Sequence, residues 1–123
     1  MTLTGVFHID DWQESVAIQL EGTAKLNNAT IKQSYDGDIK GTSTVHYQLY
    51  YDCKGAAIFN GLEVLIHSSN EKNTLVIRHK GQFVDGVASS DFVIIDCDYD
   101  KDMIGRTGKF ESVEGQKAAY KII

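Results

Sequence analysis

The sequence predicts an all-β fold, a closed or nearly closed eight-stranded antiparallel meander barrel, on three observations. Polarity alternates along almost the whole chain, and no window of eleven or more residues sustains the i, i+3, i+4, i+7 apolar spacing of a helix. Glycine or Asp/Asn punctuation separates the alternating segments at hairpin intervals. Proline is absent, whereas average usage of about 5% would give roughly six. Every residue after the first can therefore donate a backbone N–H to a ladder. Closing the sheet is the one arrangement that removes its edges altogether, which favours a barrel over an open sandwich.

The strands follow in order. The opening Leu3-Thr4-Gly5-Val6-Phe7 already alternates, so the first strand is placed at 4–13 and the second at 23–35. Asp36-Gly37 tolerates positive φ and is expected to form a tight hairpin turn into 38–51. Asp52-Cys53-Lys54-Gly55 leads into 56–67, and the polar loop Ser68 to Asn73 leads into 74–84. Asp85-Gly86 turns the chain into 87–96, and the last two strands are placed at 103–111 and 117–123. Residues 1–123 are read as one barrel domain, since no linker, repeat or low-complexity tract divides them. With 42% hydrophobic and 24% charged residues, the composition is that of a globular chain with a real core.

A formal charge of −5 argues against a surface that neutralises phosphates, so nucleic acid is not an expected partner. The start lacks a basic segment followed by an apolar run, and the longest apolar run is Phe92-Val93-Ile94-Ile95, far from the roughly 20 residues of a membrane helix. The expected location is cytoplasmic, without membrane contact. Cys53 and Cys97 match no C-x-x-C pattern and are read as inert turn or core thiols.

Face assignment narrows the search for a site. Between 38 and 51, Ser43, Val45, Tyr47 and Leu49 share the inner face opposite Thr42, Thr44, His46 and Gln48. In 74–84 the odd residues Leu75, Ile77, His79 and Phe83 are again inner. Strand 56–67 is apolar on both faces, with Phe59, Glu63 and Leu65 on one and Ile58, Leu62, Val64 and Ile66 on the other. Such a strand is expected to be covered outside as well, and with no helix available the expected cover is a second copy, a homo-oligomer.

If His67 faces Leu75, Glu63 lies directly opposite His79, with Phe92 beside His79 and Ser43 beside Glu63. A carboxylate and an imidazole so placed could transfer a proton or orient a ligand, and Glu63 and His79 are the candidate catalytic pair. The same pair also reads as a buried couple that merely satisfies itself. Ser43, Tyr47, Phe59, Gly61, Glu63, His79, Phe83 and Phe92 are the expected ligand-binding set. Glycines at 41, 61 and 81 interrupt strands where a side chain would normally pack, which marks strong coiling or a lumen kept open.

Other patterns carry less. Glu63, His67 and His79 share a face nominally, but four residues of strand put Glu63 and His67 about 13 Å apart, too far for one metal. Asp96, Asp98, Asp100 and Asp102 alternate without the glycine and glutamate of a calcium loop, and read as a solvated turn. Gly105-Arg106-Thr107-Gly108-Lys109 lacks the spacing and following helix of a phosphate loop. His8 and His46 read as surface residues. No metal or cofactor is expected, and no nucleophile has a base beside it.

The run Tyr35-Asp36-Gly37-Asp38-Ile39-Lys40-Gly41-Thr42-Ser43-Thr44-Val45, then Phe59-Asn60-Gly61-Leu62-Glu63, then His79-Lys80-Gly81-Gln82-Phe83, resembles the bacterial domain-of-unknown-function family 3224. Gly5-Val6-Phe7 with Trp12, and Ile104-Gly105-Arg106-Thr107-Gly108, look like that family's ends. The resemblance implies an eight-stranded barrel of the allene-oxide-cyclase-like type and no established activity. Barrels of that type include plant cyclases and dirigent proteins, so a lumen for an apolar or amphipathic small molecule, lipocalin-like, or a cyclase- or isomerase-like reaction at Glu63 and His79, is implied only by analogy. The rival expectation is a structural or interaction module whose barrel is filled by its own side chains. Two segments depart from the family pattern: Ser68 to Asn73 lacks its glycine-rich form, and Asp98 to Met103 stands where it carries Ser-Gly-Thr-Gly.

Overall fold

The computed structural model describes residues 1–70 and 72–123; Glu71, in the expected polar loop, lies outside the described residues. Eight strands, β1 (Leu3–Gln19), β2 (Lys25–Gly37), β3 (Gly41–Tyr51), β4 (Ala57–His67), β5 (Thr74–Val84), β6 (Val87–Cys97), β7 (Thr107–Val113) and β8 (Lys117–Ile122), form one closed barrel in sequential order. Each strand pairs antiparallel with the next, and β8 closes on β1 through Leu3↔Ile122 to His8↔Lys117. No helix among the described residues is long and apolar enough to cross a membrane.

The closure carries a large stagger. From Gly5 the ladder runs one way directly to Gly37 of β2. The other way it passes Tyr120, Phe110, Ser90, Gly81, Phe59 and Leu49 and arrives at Asn27 of the same strand, ten residues away. A stagger of ten over eight strands tilts them by about 40° and leaves an interior just wide enough for side chains. Ile31, Val45, Leu65, Leu75 and Ile94 fill it with no exposure at all. Odd residues face inward in β2, β3, β4 and β5, which settles the ambiguous parity of β4: Phe59, Glu63 and Leu65 point in, while Ile58, Leu62, Val64 and Ile66 lie on the outer surface.

Four of the strand glycines are seats for aromatic rings, while Gly41 is closed over by the backbone of Ile66 and His67. Tyr47 pairs with Gly61, Phe59 with Gly81, Phe92 with Gly108 and Tyr120 with Gly5. A Cβ on Gly61 would stand 2.9 Å from Tyr47 Cδ1 and would overlap the His46 carbonyl oxygen; one on Gly81 would stand 2.7 Å from Phe59 Cε1 and would overlap Ser89 O. Coiling and ring packing thus use the same positions: the neighbouring backbone closes over the glycine on one side while a ring covers it on the other. The glycines fill the lumen rather than open it.

Several local expectations are corrected. Asp36-Gly37 is not a two-residue turn, because Asp36 and Gly37 pair with Val6 and Gly5 of β1 and the turn falls at Asp38–Lys40. Asp85-Gly86 does form one, between paired Val84 and Val87 with φ of 54° and 81°. β1 runs to Gln19 rather than 13, since a bulge at Asp10 shifts the alternation by one and turns Trp12, Glu14 and Val16 to the side of Ile31, Ala29 and Asn27. β7 begins at Thr107 rather than 103, because Lys101–Met103 form a single 3-10 turn with Asp100 as its cap and Met103 buried beneath the barrel end.

Substituting Gly81→Ala should lower stability by about 1–3 kcal/mol, the usual cost of overpacking, because the new methyl meets both a ring and a carbonyl. Chemical denaturation of the variant beside Gly86→Ala, a turn position with open space but positive φ, separates crowding from backbone strain.

Candidate functional site

Glu63 and His79 are fully buried and bonded to each other, His79 Nε2 to Glu63 Oε1 at 2.6 Å. The register that joins them differs from the expected one. His67 N donates to Asn73 O, so the β4–β5 ladder places Glu63 opposite Ile77, and His79 opposite Gly61. The pair is diagonal: with no side chain at Gly61, the imidazole has room to lean two positions along β4 to the carboxylate. Ser43 likewise sits opposite Leu65, two positions from where it was expected; Glu63 pairs with Val45. Phe92 is opposite His79 as expected, with ring centroids 5.3 Å apart.

The pair belongs to a chain of polar groups spanning the lumen. Tyr35 of β2 donates its O–H to Glu63 Oε2 at 2.7 Å, and Ser90 of β6 lies 3.1 Å from His79 Nδ1. Ser90 has one proton and three acceptors in reach, Nδ1, Lys80 O and Asp91 O. Given to a carbonyl, that proton leaves Oγ to accept from Nδ1–H. Given to Nδ1, it leaves His79 neutral with Nε2–H on Glu63. In both arrangements every buried polar atom of the pair is bonded, as burial requires.

Burial, the charge of Glu63 and the hydrogen bond to it push the Tyr35 phenol well above its ordinary 10.0; burial and the charge of Glu63 do the same to Tyr47. Both stay protonated, which fixes Tyr35 as the donor. Tyr47, Phe92 and Phe110 surround the imidazole with ring centroids at 5.8, 5.3 and 5.5 Å.

A separate cavity of about 250 Å³ opens at the barrel end formed by the start of β2 and the end of β3. Its walls are Phe7, Leu49, Ala57 and Ala118, its floor Tyr47, Phe59 and Phe110, and Trp12, Tyr51 and Lys117 stand at its rim. The aromatic floor separates it from Glu63 and His79. Of the expected ligand-binding set, Tyr47, Phe59 and Phe83 reach this cavity, while Ser43, Gly61, Glu63, His79 and Phe92 do not line it. Phe83 is 39% exposed rather than inside, because β5 has reached the barrel rim two residues before the Asp85-Gly86 turn.

Sequence reasoning missed Tyr35, Ser90 and Phe110 at the polar chain. Tyr35 and Phe110 were legible in principle as inner aromatics, and Ser90 as an inner polar residue on the strand that faces His79. No cluster of metal-ligating side chains occurs among the described residues, and His67 bonds Ser69 instead of approaching Glu63. Asp98 accepts from Thr74 N and Oγ1, so that carboxylate ties the loop after β6 to β5. His8 and His46 are exposed; Cys53 lies in an exposed turn and Cys97 in the core, both unpaired.

The profile of a family described as protein of unknown function, DUF3224, matches residues 3–122. The chain belongs to the DUF3224 family. A crystal structure of a DUF3224 protein of unknown function from Shewanella oneidensis MR-1 superposes with a TM-score of 0.70 at 17% identity, covering 99% of this chain and 93% of that one. The fold is thus shared at an identity that speaks for the fold alone. A comparison with curated proteins finds no match.

Two outcomes test this DUF3224 core. His79→Ala strands the Glu63 carboxyl and should cost about 3–5 kcal/mol in urea unfolding, whereas Glu63→Gln, whose amide oxygen still accepts from Tyr35, should cost less. Because Tyr35 and Tyr47 are raised above 10.0 in the folded state, the unfolded chain releases protons first on raising the pH. Their contribution to stability is full below pH 10 and falls as the pH climbs beyond it. Phenolate absorbance followed with far-UV circular dichroism should show these two ionising only together with loss of the β signal.

Proposed function

We propose that this DUF3224 barrel binds a small apolar or amphipathic molecule in the cavity at its mouth. The observation that carries the reading is an apolar recess with an aromatic floor, set in a barrel whose interior is otherwise filled by its own side chains. A folded protein gains by filling such space, and leaving apolar walls half open favours an apolar guest. At about 30 Å³ per water the recess holds on the order of eight non-hydrogen atoms, the size of a short alkyl chain or a single ring. In this reading Tyr47, Phe59 and Phe83 contact the guest, while Glu63 and His79 hold the floor in place from below.

The rival, a structural or interaction module without a ligand, draws on the packed layers around Ile31, Val45 and Glu63. A cyclase- or isomerase-like reaction at Glu63 and His79 has less support, because the floor stands between the pair and the recess. Two unpaired cysteines favour a reducing, cytoplasmic setting. The outer stripe of Ile58, Leu62, Val64 and Ile66, each 42–61% exposed, favours association with a second copy.

Trp12, the single tryptophan, stands at the rim and reports occupancy by its fluorescence. Native mass spectrometry of gently purified protein should show a retained small molecule, and Ala88→Phe, at the cavity wall, should abolish both that mass and any probe-induced change at Trp12. A bare mass together with no fluorescence response to hexanol would favour the module. Sedimentation should give a species heavier than the monomer that Leu62→Lys returns to 13.7 kDa.

A further inference from the structure

The bulge at Asp10 turns Trp12 and Glu14 toward the mouth, where Glu14 meets Asn27 and Tyr51. Glu14 Oε1 accepts from Trp12 Nε1 at 2.8 Å, and Oε2 accepts from Asn27 Nδ2 at 2.5 Å and from Tyr51 O–H at 2.7 Å. Three donors thus hold one carboxylate above an apolar recess, two of them, Trp12 and Tyr51, from residues that also line that recess. Burial alone would raise this carboxyl; the bonds from Asn27, Tyr51 and Trp12, with the charge of Lys25, outweigh it and hold Glu14 below its ordinary value, so it is anionic at neutral pH.

Two further observations say what the carboxylate faces. Asn27 is 4% exposed, and with its amide nitrogen committed to Glu14 its Oδ1 is the one buried side-chain polar atom among the described residues that has no partner. A buried acceptor without a donor is costly and marks a place where a donor belongs. Beside it the Lys25 ammonium already rests over the Tyr51 ring, 5.2 Å from its centroid. The protein thus already seats one of its own cations on the ring of a residue that lines the recess.

We propose that the mouth selects an amphipathic cation: an ammonium or other N–H cation placed between Glu14 and the Asn27 amide oxygen against Trp12 and Tyr51, with a short apolar tail in the recess. This rests on the cavity reading above and names its ligand class. A carboxylate headgroup in the same seat would face Glu14 and supply nothing to Asn27 Oδ1, while an alcohol would lack the charge. Lys117 at the rim is the group that would favour an acid, so the two headgroups compete on one surface.

Hexylammonium, hexanol and hexanoate share a tail and differ in the head, and titrating each while following Trp12 fluorescence separates the cases. Hexylammonium should bind about tenfold tighter than hexanol or more, with hexanoate weakest, and added salt should narrow the gap. In Glu14→Gln the ammonium should fall to the level of hexanol while hexanol itself is unchanged, with thermal melting confirming that the variant is folded. Hexanol binding equal to or tighter than hexylammonium, or hexanoate ranking first, overturns the cation proposal and leaves the cavity reading standing. No response to any of the three, in calorimetry as well as fluorescence, overturns the cavity reading together with it.

Discussion

Small closed barrels must fill a narrow, tapering interior without straining their walls, and in this DUF3224 chain the work falls to aromatic rings laid on glycines of the adjacent strand. Tyr47 on Gly61, Phe59 on Gly81, Phe92 on Gly108 and Tyr120 on Gly5 repeat one device around the circumference. Each glycine lets a neighbouring carbonyl come close enough for the strand to coil, and each ring covers the backbone that the coil would expose. The stagger of ten residues depends on that coiling, since eight flat strands do not close.

The polar chain through the middle depends on the same device. Gly61, the seat of Tyr47, is also the residue opposite His79, and its missing side chain is what lets the imidazole lean to Glu63. Tyr35, Glu63, His79 and Ser90 then link β2, β4, β5 and β6 across the lumen. A buried carboxyl and imidazole would be costly singly; bonded at every polar atom they fix which strands face one another. The rings around His79 have a second duty, because Tyr47 and Phe110 are also floor of the mouth cavity. Core and recess are therefore one packing arrangement seen from two sides.

The hairpin of β1 and β2 beyond His8 stands outside this scheme. β8 pairs with β1 only as far as His8, so the rest of the strand has β2 alone as its ladder partner, and one inserted residue at Asp10 decides which of its faces looks over the mouth. That insertion makes a rim of Trp12 and Glu14 out of a segment whose alternation is broken in the sequence. The rim and the filled interior are thus built by different rules, the first by a bulge and a carboxylate, the second by rings and glycines.

The sequence by itself determined the class of fold, the number and order of strands, the inner parity of β3 and β5 and the nearness of Glu63 to His79, because these follow from period-two alternation and from turn chemistry, which are local. It left the β4–β5 register two residues off, since register there is set by the bond from His67 N to Asn73 O rather than by pattern; a two-residue slip keeps every side chain on its face. The reach of β1 past 13 was hidden because a bulge erases alternation. Only the tertiary structure decided that Glu63 and His79 lie beneath an aromatic floor and that the recess opens elsewhere, because closure of the barrel, and nothing along the chain, brings Phe7, Phe59 and Phe110 together from three separate strands.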